Sequence, residues 1–371
     1  MPQESPSPAG AIRVLLVGSA GFDTVIDSYR RALLPHYDVR VFDPLRGVPG
    51  VERLFGPVWA ARVGNSVRVA SRLILREPLA VAELQLLRVA ADFAPDLVLV
   101  SAVESLRPPT VAGLRSGNRS ARVLGVFSDH IGNFERGYFF AADYDRLFFK
   151  DHFVVDKLRS KLGWKHVFYL PQCCDRQLHR RIPVSEEDRK RYGCDITLAG
   201  NAHLYRCEFL RPLIGRDLKV WGSPPPAWLE HPTRGLFTGR YVAGDEKCKA
   251  MLSASIVLNQ NHYAEIAGTN KRTFEAAGVG AFQLTDTPAL AEVFDPEREV
   301  AFFETQRDML DRIDHYLARP ELRAEMAERS RLRAHAEHTY EHRWAAQLET
   351  LGLEPPPGFP VRPGTLAVRA A

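Results

Sequence analysis

The stretch from Asn270 to Asp286, NKRTFEAAGVGAFQLTD, holds the residue types and spacing that best fit a chemical role. Residues three or four apart share one face of a helix, so Lys271 or Arg272 would lie beside Glu275. A cation and the free N–H groups of a helix start can bind phosphate, and a carboxylate can accept ribose hydroxyls. The pattern fits a clamp for a nucleotide diphosphate. A surface ion pair beside a helix end is the alternative, and the pattern alone favours it.

Three elements must position these residues. The periodicity predicts a short helix over residues 271–277, a glycine turn at Gly278 and Gly280, and a buried strand over 281–285. Residues 255–259 (SIVLN) predict another buried strand, whose last residue is Asn259. We expect Asn259 and Asn270 to lie at the same edge of the sheet as Arg272.

The pattern NxRxFEAxxxGAFxLTD, with LAEVF at 290–294 and His-Thr-Tyr at 338–340, resembles the donor-side signature of the group-1 glycosyltransferases. More narrowly, the chain is similar to the CgeB-like (spore maturation protein) branch. The resemblance covers roughly residues 194–344 and is loose upstream. It implies an α/β fold of the GT-B type, with two Rossmann-like domains, parallel sheets covered by helices, facing each other across a cleft. It also implies a metal-independent hexosyltransferase-type enzyme (EC 2.4) with no cofactor beyond a nucleotide-diphosphate sugar.

The donor-binding domain would begin with a strand over residues 194–199 (CDITLA), a turn at Gly200-Asn201 and a helix over 204–213 that carries Arg206. Backbone N–H groups of a glycine turn at a helix start can meet phosphates. Arg206 could add charge there or face water. The resemblance therefore implies a set of donor-binding residues: Gly200, Asn201, Arg206, Asn259, Asn270, Lys271, Arg272 and Glu275.

The N-terminal half opens with an apolar run over residues 12–17, the turn Gly18-Ser19-Ala20-Gly21, and a helical pattern over 22–34. Strand, glycine turn and helix are how a doubly wound domain begins. As a dinucleotide fingerprint the turn is weak, because it lacks a third glycine and no acidic residue obviously follows at the right distance. The resemblance implies that Gly18, Ser19 and Gly21 face the acceptor.

Ser128-Asp129-His130 follows a predicted strand over residues 122–127. Ligands of open α/β sheets bind beyond the carboxyl ends of strands. Asp129 could take a proton from an acceptor hydroxyl, and His130 could be that base or hold the aspartate. Helix capping by Asp129 with a structural histidine is an equally weighted alternative. Glu104 is a poorer candidate for the same role.

The sequence differs from the related retaining families at one position. Those families carry two glutamates separated by seven residues, and Glu275 matches the second. The first falls on Ala267, and Glu265 is out of register. The sequence therefore does not decide between retention and inversion of the sugar's configuration. Two alternatives to a glycosyltransferase also remain: a nucleotide-sugar epimerase, and a non-catalytic nucleotide-sugar-binding or scaffold protein.

Two metal-like patterns are set aside. Asp143-Tyr144-Asp145 precedes a predicted strand, which is the wrong strand end for ligand binding. His338-Thr-Tyr-Glu341-His342 matches HxxEH, a pattern short enough to arise by chance, and no third ligand is signalled. We therefore expect no metal site.

Composition bounds the remaining possibilities. A chain of 371 residues with 45% hydrophobic residues suggests two domains, and a formal charge of +4 does not demand nucleic acid. No apolar run reaches about 18 residues, so no membrane span is expected, although peripheral association stays open. The polar N-terminus predicts a cytoplasmic protein, and five cysteines without a CxxC pair predict reduced thiols.

The sequence does not identify the acceptor, which could be a glycan, a lipid-linked group, a protein or a small molecule. The predicted organisation of the chain has five parts. The parts are a disordered leader (1–10), an N-terminal acceptor domain (11–180), a C-terminal donor domain (190–335), a C-terminal helix packing back toward the N-terminal domain (336–353) and a flexible tail (354–371).

Overall fold

The computed structural model describes residues 11–44, 57–75, 77, 79–101, 106–134 and 137–361. The predicted leader and Glu104 lie outside these residues. The chain divides into two compact units. Unit 1 comprises Met1–Phe149, Val154–Leu170 and Trp344–Ala371, and unit 2 comprises Lys150–Phe153 and Pro171–Arg343.

Unit 1 contains a six-stranded parallel sheet with the order β2-β1-β3-β4-β5-β6. The four inner strands are largely apolar and buried, as a parallel sheet covered by helices requires, whereas the edge strands β2 and β6 are mostly half-buried. In register, Val14 pairs with Val39 on one side and with Leu97 on the other. The strands are β1 (Arg13–Val17), β2 (Asp38–Phe42), β3 (Leu97–Val100), β4 (Arg122–Phe127), β5 (Arg146–Phe149) and β6 (Val167–Tyr169).

Two helices of unit 1 begin where local sequence supplies a start signal. The Thr24 side chain caps α1, and prolines occupy the first turn of α4. One core cluster contains Leu15, Val98 and Phe149 from the sheet. The helices are α1 (Val25–Leu33), α2 (Pro57–Ile74), α3 (Ala80–Phe93), α4 (Pro108–Gly113) and α5 (His152–Leu162), whose first two residues belong to unit 2.

Unit 2 contains a five-stranded parallel sheet with the order β11-β10-β9-β7-β8. The chain leaves β7 toward β8 on one side and returns to β9 on the other, so the winding reverses between β7 and β9. Such a reversal opens a crevice beyond the carboxyl ends of these strands. The strands are β7 (Cys194–Ala199), β8 (Leu218–Trp221), β9 (Ala254–Asn259), β10 (Gln283–Thr285) and β11 (Ala301–Phe302).

The helices of unit 2 also carry clear start signals. Ser185 and Asp188 form a capping box at the start of the charged helix α6. Asn270 and Thr305 cap α9 and α10 with their side chains. The helices are α6 (Glu186–Tyr192), α7 (Leu204–Leu210), α8 (Asp245–Ser253), α9 (Lys271–Val279), α10 (Gln306–Leu317) and α11 (Pro320–Glu337).

The last helix, α12 (Tyr340–Thr350), begins in unit 2 and ends in unit 1. Within unit 1, the buried Trp344 ring makes edge contacts with Tyr29 and Tyr37. The predicted flexible tail needs correction over residues 354–361. Phe359 is buried and contacts Tyr37, so this part packs onto unit 1. Residues 362–371 lie outside the described residues.

Within the described ranges, no helix is both long enough and apolar enough to cross a membrane. All five cysteines are described, and each is a buried free thiol, as the cysteine count predicts.

Candidate functional site

Polar residues gather in unit 2 where the strands β7, β9 and β10 end. Because the sheet is parallel, the residues after each strand meet at one edge. Gly200 and Asn201 follow β7, Gln260 and Asn261 follow β9, and Asp286 follows β10. This edge is where the winding of the sheet reverses.

Gly200 forms the floor of the site, and its backbone requires glycine. Its φ is +150°, and a methyl group there would lie 2.6 Å from Arg206 Nη1 and 3.4 Å from Arg272 Nη2. The two guanidinium groups therefore approach the same point above the Gly200 backbone. A methyl group on Gly222, after β8, would collide with the Gly200 carbonyl. Both glycines are thus needed for close approach.

Arg206 and Arg272 contact only neutral groups among the described residues, and neither forms a salt bridge there. Arg206 Nη1 donates to the Asn201 carbonyl at 2.6 Å, and its Nε donates to Gln260 Oε1 at 3.2 Å. Arg272 Nη1 lies 3.5 Å from Asn259 Oδ1. Burial, together with the charge of Arg272, lowers the pKa of Arg206 to about 9. Burial also lowers the pKa of Arg272. Because neither guanidinium group is paired with a carboxylate among the described residues, this edge of the sheet can bind an anion.

Asp286 is the acidic group that offsets part of this charge. Its Oδ1 accepts from Asn261 N at 2.8 Å and from Asn261 Nδ2 at 2.7 Å. Burial raises the pKa of Asp286, and Arg206 acts in the opposite direction. One carboxylate against two guanidinium groups leaves the edge positive.

Asn259 and Asn270 connect the end of β9 to the start of α9. The Asn259 side chain donates to Thr273 Oγ1 at 3.0 Å, and Asn270 Nδ2 donates to Asn259 Oδ1 at 2.9 Å. Asn270 Oδ1 accepts from Thr273 N at 3.0 Å as the helix cap. This network holds the helix start, and with it Arg272, against the strand end. The pattern at 270–273 predicted the elements but not this network.

Glu275 is buried rather than part of a surface ion pair, which corrects the alternative favoured by the pattern alone. Its Oε1 accepts from Lys247 Nζ at 2.9 Å, and Lys271 Nζ lies 3.3 Å away. His179 Nε2 lies 3.5 Å from the same oxygen. The predicted spacing of Lys271 and Glu275 is confirmed. Lys247 was missed, since it lies on α8 and no local signal joins it to a residue 28 positions later.

Asn201 and His203 position the turn after β7. Asn201 Oδ1 accepts from Ser223 N at 3.0 Å, which ties this turn to the loop after β8. His203 Nδ1 accepts from Arg206 N at 3.2 Å and caps α7. Arg206 therefore enters the site from the first turn of a fixed helix.

In unit 1, Gly18 follows β1 and Ser19 is exposed. A methyl group on Gly18 would lie 2.8 Å from Ile26 Cγ1. Gly21 accepts a hydrogen bond from Thr24 Oγ1 at 2.9 Å. The sequence showed no acidic residue obviously at the distance that a dinucleotide fingerprint requires, but the turn does have an acidic hydrogen-bond partner. Asp43, directly after β2, accepts from Ala20 N at 2.8 Å.

Asp129 and His130 follow β4 at its carboxyl end, as predicted. The Asp129 side chain is 59% exposed. It accepts from His130 N at 2.8 Å and from Asn133 Nδ2 at 2.6 Å. His130 Nε2 lies 3.9 Å from Asp129 Oδ1. The aspartate thus stabilises its own turn and still presents a carboxylate to solvent.

The two metal-like patterns have other partners. Asp143 and Asp145 both pair with Arg115, at 3.4 and 2.8 Å. His338 Nε2 lies 2.8 Å from the Val293 carbonyl, and His342 Nδ1 lies 2.9 Å from Thr339 Oγ1. These contacts explain both patterns as structural.

Glu265 also has an ion-pair partner. It is the glutamate nearest to Ala267, where the retaining families carry their first glutamate. Lys150 Nζ lies 2.6 Å from its Oε2, and both side chains are almost fully buried. Glu265 is therefore held in an ion pair within unit 2.

A family model described as "Glycosyl transferase-like" matches residues 206–349. A comparison with curated proteins found no match. Solved structures resemble nearly the whole chain. Sucrose-phosphate synthase from Thermosynechococcus elongatus matches with a TM-score of 0.59 at 12% identity, over 92% of this chain and 98% of that one. Anabaena Alr3699/HepE in complex with UDP and glucose matches with a TM-score of 0.59 at 10% identity, over 92% and 99%.

A glycosyltransferase from Rickettsia africae ESF-5 also matches, with a TM-score of 0.56 at 11% identity over 92% of this chain and 98% of that one. At such low identities the likeness concerns the fold. The two parallel sheets flanked by helices have the GT-B fold, as the sequence predicted.

Proposed function

We propose that this protein is a glycosyltransferase that moves a sugar from a nucleotide-diphosphate sugar to an acceptor hydroxyl. The observation that carries the proposal is the convergence of Arg206 and Arg272 above Gly200, without a paired carboxylate among the described residues. A diphosphate has the charge and the acceptor oxygens that two guanidinium groups require. The matched family description and the UDP named with the Anabaena protein support the same ligand class.

In this proposal the diphosphate lies against the Gly200 turn and the start of α9. Arg206 and Arg272 stabilise the negative charge that grows on the leaving diphosphate, which is the role of a preorganised electrostatic site. Glu275 accepts the ribose hydroxyls. Asn259 and Asn270 act as positioning residues, because they hold the helix start that presents Arg272.

The acceptor would bind to unit 1, with Gly18, Ser19 and Gly21 beside it. Asp129 is the proposed base, since it follows a strand end and its carboxylate is exposed. His130 is its proposed partner or replacement. As the positive edge already supplies the charge that a metal would provide, we propose that transfer needs no metal ion. We also propose a cytoplasmic location, hexosyl transfer and membership of the CgeB-like branch.

The test is calorimetric titration with UDP, GDP, dTDP, CDP and ADP in the presence of a chelator. Binding of one nucleotide by the wild type, weakened in Arg272→Ala, supports the donor site. The matched control is Arg307→Ala, because Arg307 is exposed and its side chain pairs only with Asp311 among the described residues. Absence of binding with every nucleotide would contradict the proposal.

Turnover separates the remaining possibilities. The bound nucleotide's sugar conjugates are incubated with a panel of acceptors and, separately, without any acceptor. Acceptor-dependent release of nucleoside diphosphate supports transfer, while conversion of the donor without an acceptor indicates an epimerase. Loss of activity with a chelator, restored by a divalent ion, would contradict metal independence.

A further inference from the structure

A second basic cavity lies in unit 2 at the other edge of the sheet, where the strands begin. Its volume is about 520 Å³. It is bordered by the end of α8, the start of β9, the end of α9 at Gly280 and the first turns of α11. The proposed donor site lies beyond the carboxyl ends of the same strands. β9 alone is six residues long, so the two sites are about 20 Å apart.

Three arginines line this cavity against a single glutamate. The arginines are Arg181, Arg189 and Arg323, and the glutamate is Glu328. Glu328 already accepts from Arg331 at 2.6 Å and pairs with Arg181 at 3.3 Å. Arg189 is exposed, and within the described ranges its side chain has neither a hydrogen bond nor an ion pair. The three arginines outnumber the single lining glutamate, which Arg181 shares with Arg331. The carboxylates of Asp195 and Glu321 act on Arg323 only from beyond salt-bridge range, so the lining keeps excess positive charge.

Arg323 is oriented by its own contacts. Its Nη1 donates to the Leu317 carbonyl at 3.0 Å and to the Tyr316 carbonyl, at the end of α10. Burial lowers the pKa of Arg323, and within the described residues no carboxylate lies in salt-bridge range. The guanidinium is held in place with donors left over for a ligand.

A hydroxyl adds to the polar part of the cavity. Ser253 Oγ is buried and has no hydrogen-bond partner among the described residues, and Ser253 lines the cavity. A buried polar atom without a partner is costly, and a bound oxygen would satisfy it. The rest of the lining is largely apolar and includes Met251, Leu252, Ala254, Phe282 and Ala324.

We propose that this cavity binds a small phosphomonoester. The phosphate oxygens accept from Arg181, Arg189, Arg323 and Ser253, and the organic part of the ligand covers the apolar lining. Planar guanidinium groups bind phosphate through paired hydrogen bonds. Since this site and the donor site occupy opposite edges of the sheet, both can be filled in one molecule. The proposal does not depend on the proposed glycosyltransferase activity.

Titration of the full chain with phenyl phosphate tests the proposal. It is done at constant ionic strength and with saturating UDP, which occupies the donor site. We expect one equivalent to bind. Arg189→Ala and Arg181→Ala should each weaken binding about tenfold or more, as expected for a lost hydrogen bond to a charged group. Both side chains are exposed, so neither change should prevent folding. Arg307→Ala is the control and should bind as the wild type does.

Three outcomes would overturn the proposal. One is wild-type affinity for phenyl phosphate in both Arg189→Ala and Arg181→Ala. Another is loss of phenyl phosphate binding in Arg272→Ala, which would place all anion binding at the donor site. The third is equal affinity for inorganic phosphate and phenyl phosphate, which would show that the organic part of the ligand does not contribute to binding. Titration of Arg272→Ala without UDP tests the cavity independently of the proposed function, which fails only if none of the five nucleotides binds.

Discussion

Lys247 Nζ donates a hydrogen bond to Glu275 Oε1 at 2.9 Å, and both side chains are more than nine-tenths buried. This pair joins α8 to α9, two helices that the sequence gives no reason to connect. It also places the proposed ribose acceptor in a fixed position. The carboxylate thus has a structural role that a binding experiment must separate from its proposed contact with ligand.

The first prediction concerns this pair. Glu275→Gln leaves Lys247 buried without its carboxylate and should lower the free energy of unfolding by about 3 kcal/mol. Lys247→Met should cost less, because Lys271 Nζ still lies 3.3 Å from Glu275. Urea denaturation measures both. Only Glu275→Gln should weaken uridine binding. Equal weakening in Lys247→Met would assign Glu275 a structural role alone.

The second prediction concerns the proposed diphosphate contact. Arg272→Ala should weaken UDP binding about tenfold or more, since a hydrogen bond to a charged group is lost. Uridine binding should change little. The unliganded protein should be no less stable, because the charge repulsion between Arg206 and Arg272 is removed. Calorimetry and thermal unfolding check this, with Arg307→Ala as control. Unchanged UDP affinity would exclude Arg272 from the site.

The third prediction compares Gly200, in the turn after β7, with Gly222, which follows β8. Gly222→Ala places a methyl group against the Gly200 carbonyl, so backbone must move, and stability should fall by about 2 kcal/mol. Gly200→Ala meets the flexible end of Arg206 instead, at 2.6 Å. It should chiefly weaken UDP binding by displacing that guanidinium, with added strain from its φ of +150°. The reverse ranking in denaturation and calorimetry would contradict this assignment.

The fourth prediction concerns pH. Burial lowers the pKa of His342 to about 4, and the charge of Arg343 acts in the same direction. Burial also lowers the pKa of His338. An unfolded histidine titrates near 6.5. The unfolded chain therefore binds more protons below that pH, so stability is full above pH 6.5 and falls as the pH drops toward 4.

His342 alone should remove about 2 kcal/mol between pH 6.5 and pH 5. Urea denaturation across this range measures the loss. His342→Asn should show a smaller dependence on pH than the wild type. An identical slope in this variant would exclude His342 as a source of the acid sensitivity.

The fifth prediction concerns the proposed base. Asp129→Asn should leave UDP affinity unchanged and lower transfer about a hundredfold or more, as expected for loss of a general base. The amide can still accept from His130 N, so the turn should persist. His130→Gln is measured in parallel, because either residue is a candidate. Full transfer activity in both variants would show that neither Asp129 nor His130 is the general base.

The sequence by itself determined the fold class, most strands and the positions of the glycine turns. Buried parallel strands are continuous apolar runs, such as Leu97–Val100 and residues 123–127, and such runs need no knowledge of distant residues. The helix beginning at Lys271 could also be predicted, because Asn270 caps it locally.

Only the tertiary structure decided which side chains meet. Arg206 and Arg272 are far apart along the chain, and they converge because parallel strands bring their carboxyl ends to one sheet edge. Lys247 reaches Glu275, and Asp43 reaches the turn at Ala20, by packing between separate elements. Burial and pairing then determine charge, which residue type alone does not encode. Local pattern specifies the elements, whereas a site depends on contacts between residues distant in sequence.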